Sequence, residues 1–343
     1  MSAYPDSAFS AVMWFLCGTA VIAVAGTRLA RVADQLADRT GLGEALVGAV
    51  LLGISTSLPG ITASVTAALD GYPTLAVANA MGGIAAQTSF LAIADLFHRP
   101  ANLEHAAASA PNLIFSALLI GLLSLTLLGL AGPGWTIGHV DPITILLFVG
   151  YGFGVRLAII SRREPMWRPE RTSATLVDQP DPRASDRSTW SFSLEFAAAA
   201  GFTLVGGVTV ARSAGALVDQ AALSESVAGG LFTAISTSLP ELITTIAAVR
   251  RGALTMAVSD IVGGNAFDVL FVAVADLAYV DGSIFASTGP AAVFLTALAV
   301  LLNVVVLLGL LQRQRHGPAG IGFESLLVLI LYAAGIAVLA AQP

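Results

Sequence analysis

The chain has 343 residues, of which 56% are hydrophobic and only 11% charged, with a mean hydropathy of +0.83. A soluble domain carries about 25% charged residues, so the composition excludes a soluble globular protein and points to an integral membrane one. The formal net charge of −6 reflects loop composition, and the single cysteine, Cys17, rules out an internal disulfide or a thiolate metal cluster.

Apolar stretches of about 20 residues recur along the whole length, as helical spans require. The short alternating segments of a closed barrel are not seen. Ten spans are predicted, at 9–30, 45–69, 74–97, 111–131, 141–161, 193–217, 224–249, 254–279, 289–311 and 320–341. The first is preceded by Asp6 and no basic residue, unlike a cleaved signal peptide, so it is expected to be retained. Cys17 lies in the apolar run WFLCGTAV and reads as a small hydrophobe. Between the fifth and sixth spans, residues 162–192 form the one long polar stretch, rich in Arg, Asp, Pro and Ser. It has too little apolar surface to fold on its own and reads as a linker. The expected organisation is therefore residues 1–161, a linker at 162–192, and residues 193–343.

All sixteen basic residues are arginine. Alternate loops hold Arg31 and Arg39, then Arg99, then six linker arginines, then Arg250 and Arg251, then Arg313 and Arg315; the opposite loops hold only Arg212. Positive charge marks the cytoplasmic side. Both termini are thus expected outside the cell (inner or plasma) membrane and the linker in the cytoplasm.

Residues 54–60 read ISTSLPG and residues 235–241 read ISTSLPE. Aligning Ser55 with Ser236, a separation of 181, gives a register that holds without a gap from about residue 24 to residue 97. It pairs Gly71 with Gly252, Gly82-Gly83 with Gly263-Gly264, Gln87 with Asp268, and Ala94-Asp95-Leu96 with Ala275-Asp276-Leu277. Five spans per repeat is an odd number, so the second repeat is inverted relative to the first. Inverted repeats are a hallmark of secondary transporters, whose site lies near the midplane between them.

Proline cannot donate to the carbonyl four residues back, so Pro59 frees the carbonyl of Ser55 and Pro240 that of Ser236. Around Glu241, Thr237, Ser238, Thr244 and Thr245 occupy neighbouring positions on one helical face. A carboxylate, hydroxyls and freed carbonyls make an all-oxygen site suited to hard cations such as Ca²⁺ or Na⁺. A charge at mid-span costs about 2.5–3.5 kcal/mol on insertion scales, which makes function the default reading of Glu241.

The pairing of Thr237-Ser238-Leu239-Pro240-Glu241 with Gly264-Asn265-Ala266-Phe267-Asp268 one helix later resembles the cation/calcium exchanger superfamily, the sodium/calcium exchangers. The resemblance implies an all-α membrane protein of ten helices in two inverted five-helix repeats. It also implies cation antiport by alternating access, no enzymatic activity and no cofactor, with Ca²⁺ and Na⁺ as transported substrates. Its implied ligands are Glu241 and Asp268 with Thr237 and Ser238 from the second repeat, and Thr56, Ser57 and Gln87 from the first. The carbonyl-freed Ser55 and Ser236 join this set. The departures are Gly60 in place of the first glutamate, Gly83-Ile84 in place of Ser-Asn, Gly264 in place of serine, and Gln87 one methylene longer than asparagine.

Glu241 and Asp268 alone supply two negative charges, which argues for fewer than three Na⁺ per Ca²⁺ or for proton and monovalent-cation exchange. A relative that binds a cation without transporting it is a third reading. Asp95 and Asp276 read equally as access-path groups or polar helix ends, and Asn79 and Asp260 as site-lining or capping residues. His98, His105, His139 and His316 lie in or near loops without metal-ligand spacing and are expected to be structural or solvated. The run VGYG at 149–152 resembles a potassium filter but lacks its threonine, and reads as ordinary span.

Overall fold

The computed structural model describes residues 5–40, 48–97, 102–107, 109–163, 189–252, 254–315, 317 and 321–341. His98, Arg99, His316 and most of the expected linker lie outside them.

The described residues are helical throughout, apart from connecting turns and one isolated bridge between Ile137 and Val140. The long helices of the first repeat are α1 (Ala8–Thr40), α2 (Gly48–Leu69), α3 (Pro73–Asp95), α5 (Ala110–Leu130) and α6 (Pro142–Arg163), with a single turn, α4 (Leu103–Ala106), between α3 and α5. The second repeat opens with α7 (Thr189–Ala221). A broken span follows: α8 (Glu225–Val227), a π-helical turn (Ala228–Thr233), α9 (Ala234–Thr237) and α10 (Leu239–Arg251). Then come α11 (Leu254–Asp268), α12 (Leu270–Ala278), α13 (Pro290–Gln312) and α14 (Phe323–Ala340). Among the described residues eight helices are long and apolar enough to cross a membrane, or nine with the broken span, which bends by 43°. The expected span at 45–69 is only partly covered by the described side chains, and α2 runs over Gly48–Leu69.

The layering follows from side-chain size. α3 is buried along nearly its whole length, and its sequence is dominated by Ala, Gly, Ser and Thr. Small residues let helix backbones approach closely where lipid supplies no hydrophobic drive. A Cβ on Gly82 would overlap the backbone of Gly230, and one on Gly229 would lie 2.5 Å from the Leu75 carbonyl oxygen. The π-helical turn therefore rests directly on α3. α2, α11, α13 and α14 complete the inner layer around it. Outside them, α1 and α7 pack against each other, with Arg28 paired to Glu195. They expose Phe9, Trp14, Val24, Trp190 and Phe202, as lipid-facing helices should.

Structure repeats with sequence. α2 and α3 are joined through Gly71 at φ 85°, and α10 and α11 through Gly252 at φ 83°; both angles lie in the left-handed region that favours glycine. The two paired aspartates repeat as well. Asp95 accepts hydrogen bonds from the backbone N–H of Leu103 (2.7 Å) and of Gly322 (3.0 Å). Asp276 accepts them from Ile284 (2.8 Å) and Asp141 (2.8 Å), and also from the Thr144 hydroxyl (2.6 Å). Leu103 pairs with Ile284, and Asp141 with Gly322, in the same 181-residue register. Each aspartate thus holds the loop after its own helix and the start of the last helix of the other repeat. This places Asp95 and Asp276 as helix-end clasps and extends the repeat well past residue 97.

Of the two described histidines, His105 Nδ1 lies 2.6 Å from the Arg313 carbonyl and His139 Nε2 lies 3.3 Å from that of Leu277. Both serve loop contacts. The VGYG run is an ordinary part of α6.

Candidate cation site

The broken span builds the centre of the molecule. Pro240 removes one helix N–H, and Ser238 adopts φ −95°, ψ 6°, outside regular helix. A new helix, α10, starts at Leu239 with Glu241 in its first turn. The N-terminal end of a helix carries partial positive charge, which favours a carboxylate there. Pro59 has the same sequence context, yet α2 runs through it without a break.

Asp268 ends α11 and is 1% exposed; Glu241 is 3% exposed. The Ser57 hydroxyl of α2 donates to Asp268 Oδ1. Gln87 of α3 donates through Nε2 to Asp268 Oδ2 (2.8 Å) and to Ser238 Oγ (3.1 Å). Thr56 is hydrogen-bonded to Glu241 and also reaches the Gly53 carbonyl at 3.1 Å. Glu241 Oε2 has no hydrogen-bond partner among the described residues. Six of the nine sequence-derived residues therefore converge: Glu241, Asp268, Ser238, Thr56, Ser57 and Gln87, from both repeats. They join α2, α3, the helix break and the end of α11.

The other three lie around this cluster. Thr237 bonds back to the carbonyls of Thr233 (3.0 Å) and Ala234 (3.2 Å) and lies 3.3 Å from Asn79 Oδ1. Ser236 accepts from Thr19 of α1 at 3.0 Å. Ser55 is buried on α2. Asn79 is a structural tie, donating to the Gly60 carbonyl (3.0 Å) and to Ser64 Oγ (2.8 Å). Sequence reasoning did not reach Thr19, Thr88 or Asn303. Thr88 receives both Asn265 (3.1 Å) and Asn303 (3.3 Å), fastening the motif asparagine to α3.

The glycine departures have physical counterparts. A Cβ on Gly60 would meet the Phe271 ring at 2.6 Å, so an aromatic side chain fills the place of the first-repeat carboxylate. A Cβ on Gly263 or Gly264 would meet nothing within 4 Å, so the backbone beside Asp268 borders open space.

The sequence pattern of the family described as sodium/calcium exchanger protein matches residues 10–159 and 194–340, nearly the whole chain on both sides of the polar stretch. The chain belongs to the sodium/calcium exchanger family. Similar proteins include inner membrane protein YrbG of Escherichia coli K12, 27% identical over 75% of this chain and 76% of the relative. Membrane protein MJ0091 of Methanocaldococcus jannaschii is 24% identical over 95% and 97%. Among solved structures, the sodium–calcium exchanger NCX_Mj aligns with a TM-score of 0.61 at 17% identity, covering 96% of this chain and 99% of that one. The H⁺/Ca²⁺ exchanger CAX aligns with a TM-score of 0.69 at 15% identity, covering 96% and 85%. Both share this fold. Membership of the exchanger family makes the chain a multi-pass secondary cation antiporter rather than an enzyme.

Proposed function

We propose that the chain exchanges Ca²⁺ against Na⁺ by alternating access, with Glu241 and Asp268 as the charged ligands. Ser57, Thr56, Ser238 and Gln87 are the neutral ligands beside them. The observation that supports this most is the buried junction in which Asp268 of one repeat is held by Ser57 and Gln87 of the other. A cation bound there is touched by both repeats, so rocking one repeat against the other opens it to one side at a time. Carboxylate, hydroxyl and amide oxygens suit hard cations. Gln87 can offer its Oε1 to an ion by rotating the amide that now donates to Asp268. By name, NCX_Mj handles sodium and calcium and CAX handles protons and calcium, and Ca²⁺ is common to both.

A second reading, exchange of monovalent cations or protons, draws on Gly60: the first-repeat acid is gone and Phe271 occupies its space. Two repeats at 1–161 and 193–343, termini outside and a cytoplasmic linker at 162–192 complete the proposed arrangement. Counterflow in proteoliposomes across a panel of Ca²⁺, Na⁺, K⁺ and H⁺ tests it. Ca²⁺ uptake driven by a Na⁺ gradient supports the leading reading. Na⁺ or K⁺ flux without Ca²⁺ flux supports the second. Flat fluxes with cation-dependent thermal stabilisation identify a binding protein that does not transport.

A further inference from the structure

The 181-residue register pairs Asn79 with Asp260, Gly60 with Glu241 and Ser64 with Thr245. In the first repeat this trio is a closed structural tie: the Asn79 amide donates to the Gly60 carbonyl and to Ser64, and Ser64 donates to the Ala76 carbonyl at 3.0 Å. An ionised aspartate has no N–H or O–H to donate, so Asp260 cannot form the same tie. Accordingly Thr245 Oγ1, the counterpart of Ser64, is buried without a hydrogen-bond partner among the described residues. Asp260 instead turns to α10, where the Thr244 hydroxyl lies 3.4 Å from its Oδ2 and 3.1 Å from the Glu241 carbonyl. Asp260 is 7% exposed, and it is near enough to both Glu241 and Asp268 for direct charge–charge interaction.

We propose that Asp260 is a selectivity-determining residue of the cation site, the third carboxylate of a cavity whose first-repeat acid is missing at Gly60. The inference rests on the site described under the proposed function and names what it selects: divalent over monovalent cations. The charge absent from α2 reappears on α11, at a position where the first repeat carries a neutral amide. Among the described residues no three acids or histidines converge as a metal cage would. Asp260 therefore acts through its field rather than as a direct ligand. In a low-dielectric cavity that field is weakly screened, and its energy scales with the charge of the bound ion. A third carboxylate also removes the charge objection to several Na⁺ replacing one Ca²⁺, which counted only Glu241 and Asp268.

The test uses the full-length protein, with Ca²⁺ and Na⁺ as probes. Apparent affinity is read from thermal stabilisation in detergent and from counterflow in proteoliposomes. Asp260→Asn is expected to weaken Ca²⁺ about tenfold and Na⁺ only about threefold, since the field energy of a monovalent ion is half that of a divalent one. Asp260→Glu is expected to keep the wild-type ratio. The asparagine is the residue the first repeat already carries at Asn79; should that variant aggregate, Asp260→Ser carries the same expectation. Unchanged affinities, or equal losses for both ions, would overturn the proposal by making Asp260 irrelevant or merely structural. A wild-type protein that answers to neither ion, or a Glu241→Gln variant with normal exchange, would instead overturn the underlying site and the proposal with it.

Discussion

The two repeats share a scaffold but not a site. Their turns at Gly71 and Gly252 have nearly the same φ, and the backbone hydrogen bonds of the Asp95 and Asp276 clasps correspond one to one. Around the buried cluster the symmetry fails. α2 continues through Pro59 while its counterpart breaks before Pro240, and the first repeat contributes hydroxyls and an amide while the second contributes Glu241, Asp268 and Asp260. Symmetry is kept where two conformations must exchange roles, at the loops that anchor each repeat to the other. It is given up where the buried carboxylates lie, since Gly60 stands opposite Glu241 and Gln87 opposite Asp268.

The sharpest way to break this comparison is to neutralise the charged repeat. Glu241→Gln should abolish exchange while the protein stays monodisperse in detergent, and Asp268→Asn should be severe, about 100-fold or more, as expected when a carboxylate ligand loses its charge in a low-dielectric site. The matching changes in the first repeat, Thr56→Ala and Ser57→Ala, should lower exchange about tenfold, on the scale of one hydrogen bond to a charged group. Equal losses from both repeats would erase the asymmetry.

The first repeat can also be given its acid back. Gly60→Glu drives a side chain into the Phe271 ring, so the expected result is lost stability without a gain in Ca²⁺ affinity. Overpacking costs about 1–3 kcal/mol, and a buried carboxylate adds to that. Thermal unfolding in detergent and Ca²⁺-dependent stabilisation read the two effects separately. If Gly60→Glu tightens Ca²⁺ binding at unchanged stability, the Phe271 ring yields easily and the missing glutamate was retuning the site after all.

Composition, the 181-residue repeat and the ISTSLP pair made the membrane fold readable and singled out six residues that lie together in the structure, because each depends on local pattern or on a motif present twice. What escaped depends on partners far along the chain. Asp95 and Asp276 could not be assigned from sequence since Gly322 and Asp141 lie 227 and 135 residues away from them. Pro59 and Pro240 sit in matching segments, yet only one breaks its helix. In the second repeat a π-helical turn precedes the break, with Gly229 and Gly230 lying close against α3. Phe271 filling the space at Gly60 is likewise a packing fact with no local signature.

The clasps offer a symmetric effect. Asp95→Ala and Asp276→Ala should each lower thermal stability by about 3–6 kcal/mol, because each removes two backbone hydrogen bonds to a charged acceptor worth about 1.5–3 kcal/mol apiece. Ion selectivity should not move. A change in the Ca²⁺ to Na⁺ ratio in either variant would return these aspartates to the ion pathway.

The smallest effect is a slope with pH, and it separates the ends of the two repeats. Beside the Asp95 clasp, Glu104 of α4 is buried, and burial, then the charge of Asp95, then that of Glu324 hold its carboxyl well above the usual carboxylate range. The Asp276 end has no such group at the matching position, which is Phe285. A carboxyl whose folded pKa is raised binds its proton more tightly in the native state than in the unfolded one. Its contribution is therefore fully present below the ordinary value of 4.5 and is lost as pH rises through the folded value. Thermal stability should fall as buffer pH is raised above that ordinary value, and Glu104→Gln, neutral at every pH, should flatten the fall. Glu324, whose carboxyl is buried beside Glu104, then faces an amide in place of a second carboxyl. The variant should accordingly be at least as stable as wild type at neutral pH. A pH profile identical in wild type and Glu104→Gln would show that Glu104 is ionised and compensated in the folded protein, and the two ends would then be alike in charge as well as in hydrogen bonding.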